Sequence, residues 1–465
     1  MRKNTIVYGE LTSGIQKKAI ALLSELLLDY TLEYPACYPA DAPQCADSTR
    51  KFYIGTRAAN PVFASLQTPP LTHEEEYRIT VLDDNVYIEG FDDAGVLYGC
   101  IDFFCQYVSK LEYPNDDRYR INCFENPLPN GEYSSFPAVK NRGLWTWGHV
   151  VYDYRGYLDN MLKLKLNALT IWNDCPPVNA REIVEYAHDC GIKIIWGYSW
   201  LWDTDCRKIP LDKLCDFSEG IFEQYEREYS ALGGDGIYFQ SATELSSDMR
   251  DGIVIADAVT KFVNKTASLF FEKYPNLELQ FGLHATSVKK HLPYIQNTDP
   301  RIRIVWEDCG AFPFSYIPTN IDSFEETKTF AEKISILRGE NDCFGVVTKG
   351  LTKLDWTEFE HPDAPRYIGI SSRWMKNNRI ERKKKIWKYF QAFWIANADK
   401  ALEMIQTMRS RKNGDLYISA LVEDGMFEEN IMYPVALFAE MLWSTDEDLK
   451  KIMSEVALRS YVDFA

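Results

Sequence analysis

Short apolar runs recur through the last two thirds of the chain, each followed by a helical pattern: GLWTW, NALTIW, KIIWGYS, GIYFQSA, LELQFGL, RIRIVW, CFGVVTK and DLYISALV. Near-continuous apolar segments of this length predict strands buried on both faces, which is how a parallel sheet reads. Between them, segments such as YLDNMLKL, NAREIVEYAHDC and VIADAVTKFVNKTASLFFEKY carry apolar residues at helical spacing. Strand-helix units of about 30 to 40 residues, repeated eight times, predict an α/β fold of the (β/α)8 TIM barrel type. The least regular stretch is 351–412, where an irregular loop precedes the helical pattern KKKIWKYFQAFWIANADKALEMIQTM and leaves room for a displaced strand. The run ERKKKIWK reads as a solvated helix face. No internal sequence repeat, low-complexity tract or phosphate-cradling glycine loop interrupts the alternation.

The preceding residues follow another pattern. QKKAIALLSELLLDY predicts an amphipathic helix, EYRITVL and NVYIEGF alternate like half-buried strands, and DDAGVLYGCIDFFCQYVSKL predicts a second helix. Residues 1–135 therefore read as a small α+β accessory domain and 136–465 as the barrel. The boundary falls near Phe136, inside the connector ENPLPNGEYSSFPAVKNR, which is rich in Pro, Gly and Ser.

Composition narrows the partners. A formal charge of -17, from 51 basic and 68 acidic side chains, opposes binding to nucleic acid or to an anionic membrane surface. Aromatic residues make up 14% of the chain, with 12 Trp and 28 Tyr, and flat rings with polar edges suit stacking on sugars. The start, MRKNTIVYGEL, lacks an apolar run of signal-peptide length, and no segment offers the roughly 20 apolar residues of a membrane span. Eleven Cys without CxxC pairs suggest neither a disulfide framework nor a zinc site. A cytoplasmic protein without cofactor or metal is expected. A secreted chain with its signal removed stays open, since the sequon Asn264-Lys265-Thr266 is too common to decide. The abrupt ending RSYVDFA leaves room for a further C-terminal domain, and oligomeric state is not encoded legibly.

In a parallel barrel the chemistry sits where the strands' carboxyl ends meet the following loops. The first strand leads to Trp145, Trp147 and His149, and the second to Trp172, Asn173 and Asp174. The third gives Trp196, Tyr198, Trp200 and Trp202, and the fourth Gln240, Thr243 and Glu244. His284 follows on the fifth, Trp306, Glu307 and Asp308 on the sixth, Lys349 on the seventh, and Glu423, Asp424 and Glu428 on the eighth. Indoles and carboxylates around one mouth suit a carbohydrate. Glycosidic cleavage passes through an oxocarbenium-like state that needs an acid for the leaving oxygen and a second group at the anomeric carbon. Glu244 is the candidate acid, kept protonated by burial beside aromatic walls. Its alternative is a helix cap or a pairing with Lys349. Glu307 and Asp308 are the candidate partners, with bonding to Arg142 as the bland alternative. Carboxyl groups roughly 5 to 5.5 Å apart would favour retention and about 6.5 to 9.5 Å inversion. His149 and His284 are candidates for sugar hydroxyls, although such residues more often play structural parts.

The stretch EEYRITVLDDNVYIEGFDDAGVLYGCIDFF resembles the α+β domain that precedes the barrel in the β-N-acetylhexosaminidases of glycoside hydrolase family 20, and in α-glucuronidases. FPAVKNRGL resembles the hexosaminidase first strand, a resemblance that implies Arg142 contacts sugar hydroxyls. LKLNALTIWND and IMYPVALFAEMLWST resemble the second strand and the last helix. GIYFQSATE falls on the family's fourth strand, where an Asp-Glu pair is expected, the Asp orienting the substrate's acetamido group and the Glu acting as general acid/base. Here the pair is Thr243-Glu244, and a hydroxyl cannot supply the charge that stabilises an oxazolinium. GYSWLWD also departs from the family's third-strand loop. Another carboxylate, Asp174 or Asp308, would have to reach in. The α-glucuronidase pattern implies a Glu acid with carboxylate bases on later strands and inversion, with Lys349 or Arg142 for a uronate.

The expectation is an exo-acting, hexosaminidase-like glycoside hydrolase with Glu244 as general acid/base. The alternatives are an inverting α-glucuronidase-like enzyme and a carbohydrate-binding barrel without turnover, for which Thr243 speaks. A lyase or isomerase would call for a metal cluster or phosphate loop that is not seen.

Overall fold

In a computed structural model, the structure describes residues 3–43, 49–108, 126–147, 151, 153–173, 175–201, 208–241, 247–284, 288–308, 324–348, 350–351, 364–369, 373–411, 415–422 and 427–465. The chain forms two compact units. One comprises Met1–Pro137 with His188–Gly191 and Leu458–Ser460, and the other Ala138–Ala187, Ile192–Ala457 and Tyr461–Ala465.

The first unit is an α+β domain built on one six-stranded sheet. Its strands are β1 (Asn4–Tyr8), β2 (Ala36–Pro39), β3 (Arg50–Thr56), β4 (Tyr77–Leu82), β5 (Asn85–Gly90) and β6 (Gly131–Ser135), in the order β2-β1-β3-β5-β4-β6. The two alternating runs expected from sequence are the hairpin β4-β5, closed by Asp83 and Asp84, both at positive φ, as a two-residue hairpin turn of the primed type requires. Asp84 accepts from the buried Arg50 guanidinium at 2.7 Å, tying that turn to the sheet. The helix Gly14–Thr31 starts with a capping box of Ser13 and Gln16, and the helix Asp93–Asp102 is capped by Asp92. Ser13 and Gln16 also bond Asp93, at 2.6 and 2.9 Å, which locks the two helix starts together. Part of the predicted connector is an edge strand: Gly131–Ser135 pairs with β4, because GEYSS alternates its side chains against the hairpin despite its turn-like composition.

The second unit is a (β/α)8 TIM barrel. Its first four parallel strands are β7 (Asn141–Trp147), β8 (Ala168–Trp172), β9 (Lys193–Gly197) and β10 (Gly236–Phe239). A two-stranded hairpin follows, β11 (Met249–Arg250) with β12 (Ile253–Val254), and the barrel then continues with β13 (Glu278–His284), β14 (Arg303–Glu307), β15 (Phe344–Thr348) and β16 (Leu416–Leu421). All eight predicted strands are present, and β16 pairs with β7 to close the barrel, with Leu421 opposite Trp145. The irregular stretch contains the helices Arg373–Ala396 and Ala398–Ser410, and no strand among its described residues. Each strand alternates between the barrel interior and the layer under the helices. Trp145, Trp172, Ile195, Tyr238, Val305, Val347 and Leu421 meet in the interior as one buried cluster.

The amino end of the barrel is sealed by a polar network. Arg303 donates to Glu278 at 2.7 Å and to Asp415 at 2.7 Å, and Asn141 also donates to Asp415. Ala138 and Val139 donate to the backbone of Trp443 and Leu442, so the entry to the first barrel strand is bonded to the end of the helix Tyr433–Trp443. Every residue of that helix is buried. No helix among the described residues is long and apolar enough to cross a membrane.

Candidate active site

The sequence of β14, RIVWE, is buried at every position, and Val305 belongs to the interior cluster. Two residues further on, alternation brings Glu307 to the same interior face at the strand's carboxyl end. A fully buried carboxylate needs partners. Glu307 has two on one oxygen: Oε1 accepts from the Tyr238 hydroxyl and from the Gln240 amide nitrogen, both from the β10 side.

Strand β13 lies between β10 and β14, so Tyr238 must cross it to reach Glu307. The crossing is possible because position 282 is glycine. A Cβ there would stand 2.1 Å from the Tyr238 hydroxyl oxygen and 2.5 Å from its Cζ. Tyr238 also packs edge-on against Trp145 and Trp172, with ring centroids 5.4 and 5.5 Å away. The phenol thus has an apolar wall behind it and the Glu307 carboxylate ahead. His284, two residues beyond Gly282, is the register partner of Glu307 on β13, and Val347 is its partner on β15.

Other candidates divide by strand parity. Trp145 and Trp172 line the barrel interior, and buried Asn173 follows Trp172. Asp308 is fully buried, and its N–H continues the ladder to Val347 at 3.1 Å. Alternation therefore sends its side chain to the opposite face from Glu307. Glu428 is buried on a segment held by the first barrel helix, where Asn160 donates to the Phe427 carbonyl at 2.6 Å.

Four residues expected at the sugar site lie elsewhere. Trp200 stacks on Phe239 at 3.6 Å and on Phe270 at 5.4 Å, between barrel and helices. Tyr198 stacks on Tyr229 at 4.9 Å, and burial pushes its phenol well above the ordinary value. Trp306 packs edge-on against Phe330 of the helix Phe324–Ser335. These three alternate outward, a distinction that proximity to a strand end does not make. Arg142 stands second in β7, at the amino end. Its guanidinium donates to the carbonyls of Val139, Lys140 and Lys165 at 2.8 to 3.0 Å and lies 5.1 Å from the Trp443 ring centroid. It braces the opposite end of the barrel from the one expected.

Thr243, Glu244, His149, Asp174, Lys349, Trp202, Glu423 and Asp424 fall outside the described residues, as does the side chain of Trp147. Among the described residues no group of three or more His, Cys, Asp or Glu is placed to hold a metal ion. Sequence reasoning missed Tyr238 and Gly282. The signal was available: Tyr238 shares parity with Gln240, and Gly282 with His284.

No family model matches the chain, and no curated protein does. Solved structures do. A GH138 enzyme targeting pectin rhamnogalacturonan II matches with a TM-score of 0.55 and 13% identity over 97% of this chain. CpGH84B matches with a TM-score of 0.53 and 12% identity over 98% of this chain. This chain spans 65% of the length of the first and 70% of the second. At such identity the likeness concerns the fold, and both of these barrels belong to glycoside hydrolases.

Proposed function

We propose that the protein is a glycoside hydrolase that releases terminal sugars from oligosaccharides, with Glu307 as the ionised carboxylate facing the anomeric carbon and Glu244 as the proton donor. The observation that carries this reading is the pair of donors on one oxygen of a buried carboxylate at a strand's carboxyl end. A phenol and an amide N–H both suit an acceptor-only carboxylate. Negative charge held in a dry site is what an oxocarbenium-like centre requires, either through direct attack or through an activated water. Trp145 and Trp172 supply apolar walls beneath it.

The proton donor is expected on the fourth strand's exit, four residues after Gln240. Position 243 is Thr, so the Asp that would orient an acetamido group is replaced by a neutral hydroxyl. Glu307 then supplies the charge in its place. The likeness of fold to two glycoside hydrolases supports the reaction class.

Thr243 also favours a second reading, a carbohydrate-binding barrel without turnover. Incubation with 4-nitrophenyl N-acetyl-β-glucosaminide, β-glucoside and α-glucuronide separates the two. Release of 4-nitrophenol from at least one is expected. Oligosaccharide binding without release from any would favour the second reading.

A further inference from the structure

Tyr238 is a fully buried phenol in an apolar strand, GIYF, buried at every position. Phe would fill the same volume. The hydroxyl adds a bond to Glu307, made across an intervening strand through the gap at Gly282. Gln240 donates to the same oxygen from further along the chain.

We propose that Tyr238 is a positioning residue, passing through the notch at Gly282 to hold Glu307 ionised and aimed at the substrate, so that Glu307 serves as base or nucleophile and leaves proton donation to another group. This inference rests on the glycosidase reading for its kinetic consequence alone. Its electrostatic content concerns the protein by itself. Burial alone disfavours the charged form of a carboxyl, and a hydrogen bond donated to that form opposes the penalty, more strongly in a low-dielectric site than in water.

The groups facing Glu307 set the expected effect. From β10 they are Tyr238 and the neutral Gln240. Among the described residues, the register partner from β13 is His284 and from β15 the apolar Val347, while Asp308, next along its own strand, takes the opposite face. Tyr238→Phe removes one donor to Glu307 and keeps the ring that packs against Trp145 and Trp172.

The test is Tyr238→Phe. In protein carrying side-chain 13C-labelled glutamate, the carboxyl signal that disappears in Glu307→Gln belongs to Glu307, and its titration is followed by NMR in wild type and variant. The midpoint is expected to rise by about one pH unit or more in Tyr238→Phe, as loss of a charge-assisted bond implies. On any hydrolysed glycoside, the acidic limb of kcat/KM should move to higher pH by the same amount, while circular dichroism stays unchanged. An unmoved midpoint overturns the proposal, whether or not the protein hydrolyses anything. Absence of turnover with a shifted midpoint would instead count against the glycosidase reading and leave the role of Tyr238 in holding the anion intact.

Discussion

Gly282 stands where the Tyr238 ring crosses β13, and a Cβ there would lie 2.1 Å from the phenol oxygen. The glycine is required by the close approach of a neighbouring side chain, since its backbone needs no left-handed conformation. Gly282→Ala should therefore act as an overpacking change that drives Tyr238 off Glu307. A loss of about 1–3 kcal/mol in urea unfolding is expected, with a fall in turnover larger than that of Tyr238→Phe. Unchanged stability would mean that the strands give way freely.

Removal of the proton donor should depend on the leaving group. Glu244→Gln is expected to slow cleavage of a natural glycosidic bond by about 10²–10⁴-fold. For a 2,4-dinitrophenyl glycoside, whose leaving oxygen needs no proton, kcat/KM, which reports the first bond cleavage, should stay close to the wild-type value. The ratio of the two rates checks the assignment, and an equal loss on both substrates would contradict it.

Trp200 belongs to the layer between barrel and helices, stacked on Phe239. Trp200→Ala should cost about 3–5 kcal/mol in urea unfolding, because it empties a buried site between packed elements. Oligosaccharide affinity, measured by calorimetry below the unfolding transition, should be unaffected. A selective loss of affinity without loss of stability would return Trp200 to the sugar site.

The seal at the amino end predicts an acid dependence of stability. Burial alone would raise the Asp415 carboxyl, but the charge of Arg303 and the bonds from Arg303 and Asn141 outweigh it and hold the group below its ordinary value. A carboxyl depressed in the folded state contributes stability above its unfolded value of about 3.9, and that contribution fades as pH falls through the lower folded value. Urea midpoints measured downward from pH 6 should fall less steeply in Asp415→Asn than in wild type. Parallel curves would show that the pair contributes nothing.

The barrel was legible because its strands are continuous apolar runs with helical patterns between them, and all eight appear where those runs lie. The edge strand Gly131–Ser135 was not, because GEYSS has the composition of a loop and only the neighbouring hairpin makes it a strand. At the site, nearness to a strand's end singled out Glu307 and Gln240, which the structure bonds to each other, but said nothing about which face a side chain takes. Tyr198, Trp200 and Trp306 were misplaced for that reason, and Tyr238 was passed over as one more apolar position. Arg142 was misplaced by resemblance: the motif puts it at the strand's start, where it binds three carbonyls. A bond that crosses a strand through a glycine has no local signature, since it joins residues 69 positions apart.

Glu307 is the centre of this account, and hydrolysis by Glu307→Gln tests it most directly. Gln keeps the shape and loses the charge. Initial rates on whichever aryl glycoside the wild type cleaves fastest should fall by at least about 10²-fold in the variant, with sugar binding and the unfolding midpoint retained. A variant that hydrolyses the same glycoside at the wild-type rate would contradict the assignment of Glu307 as the working carboxylate.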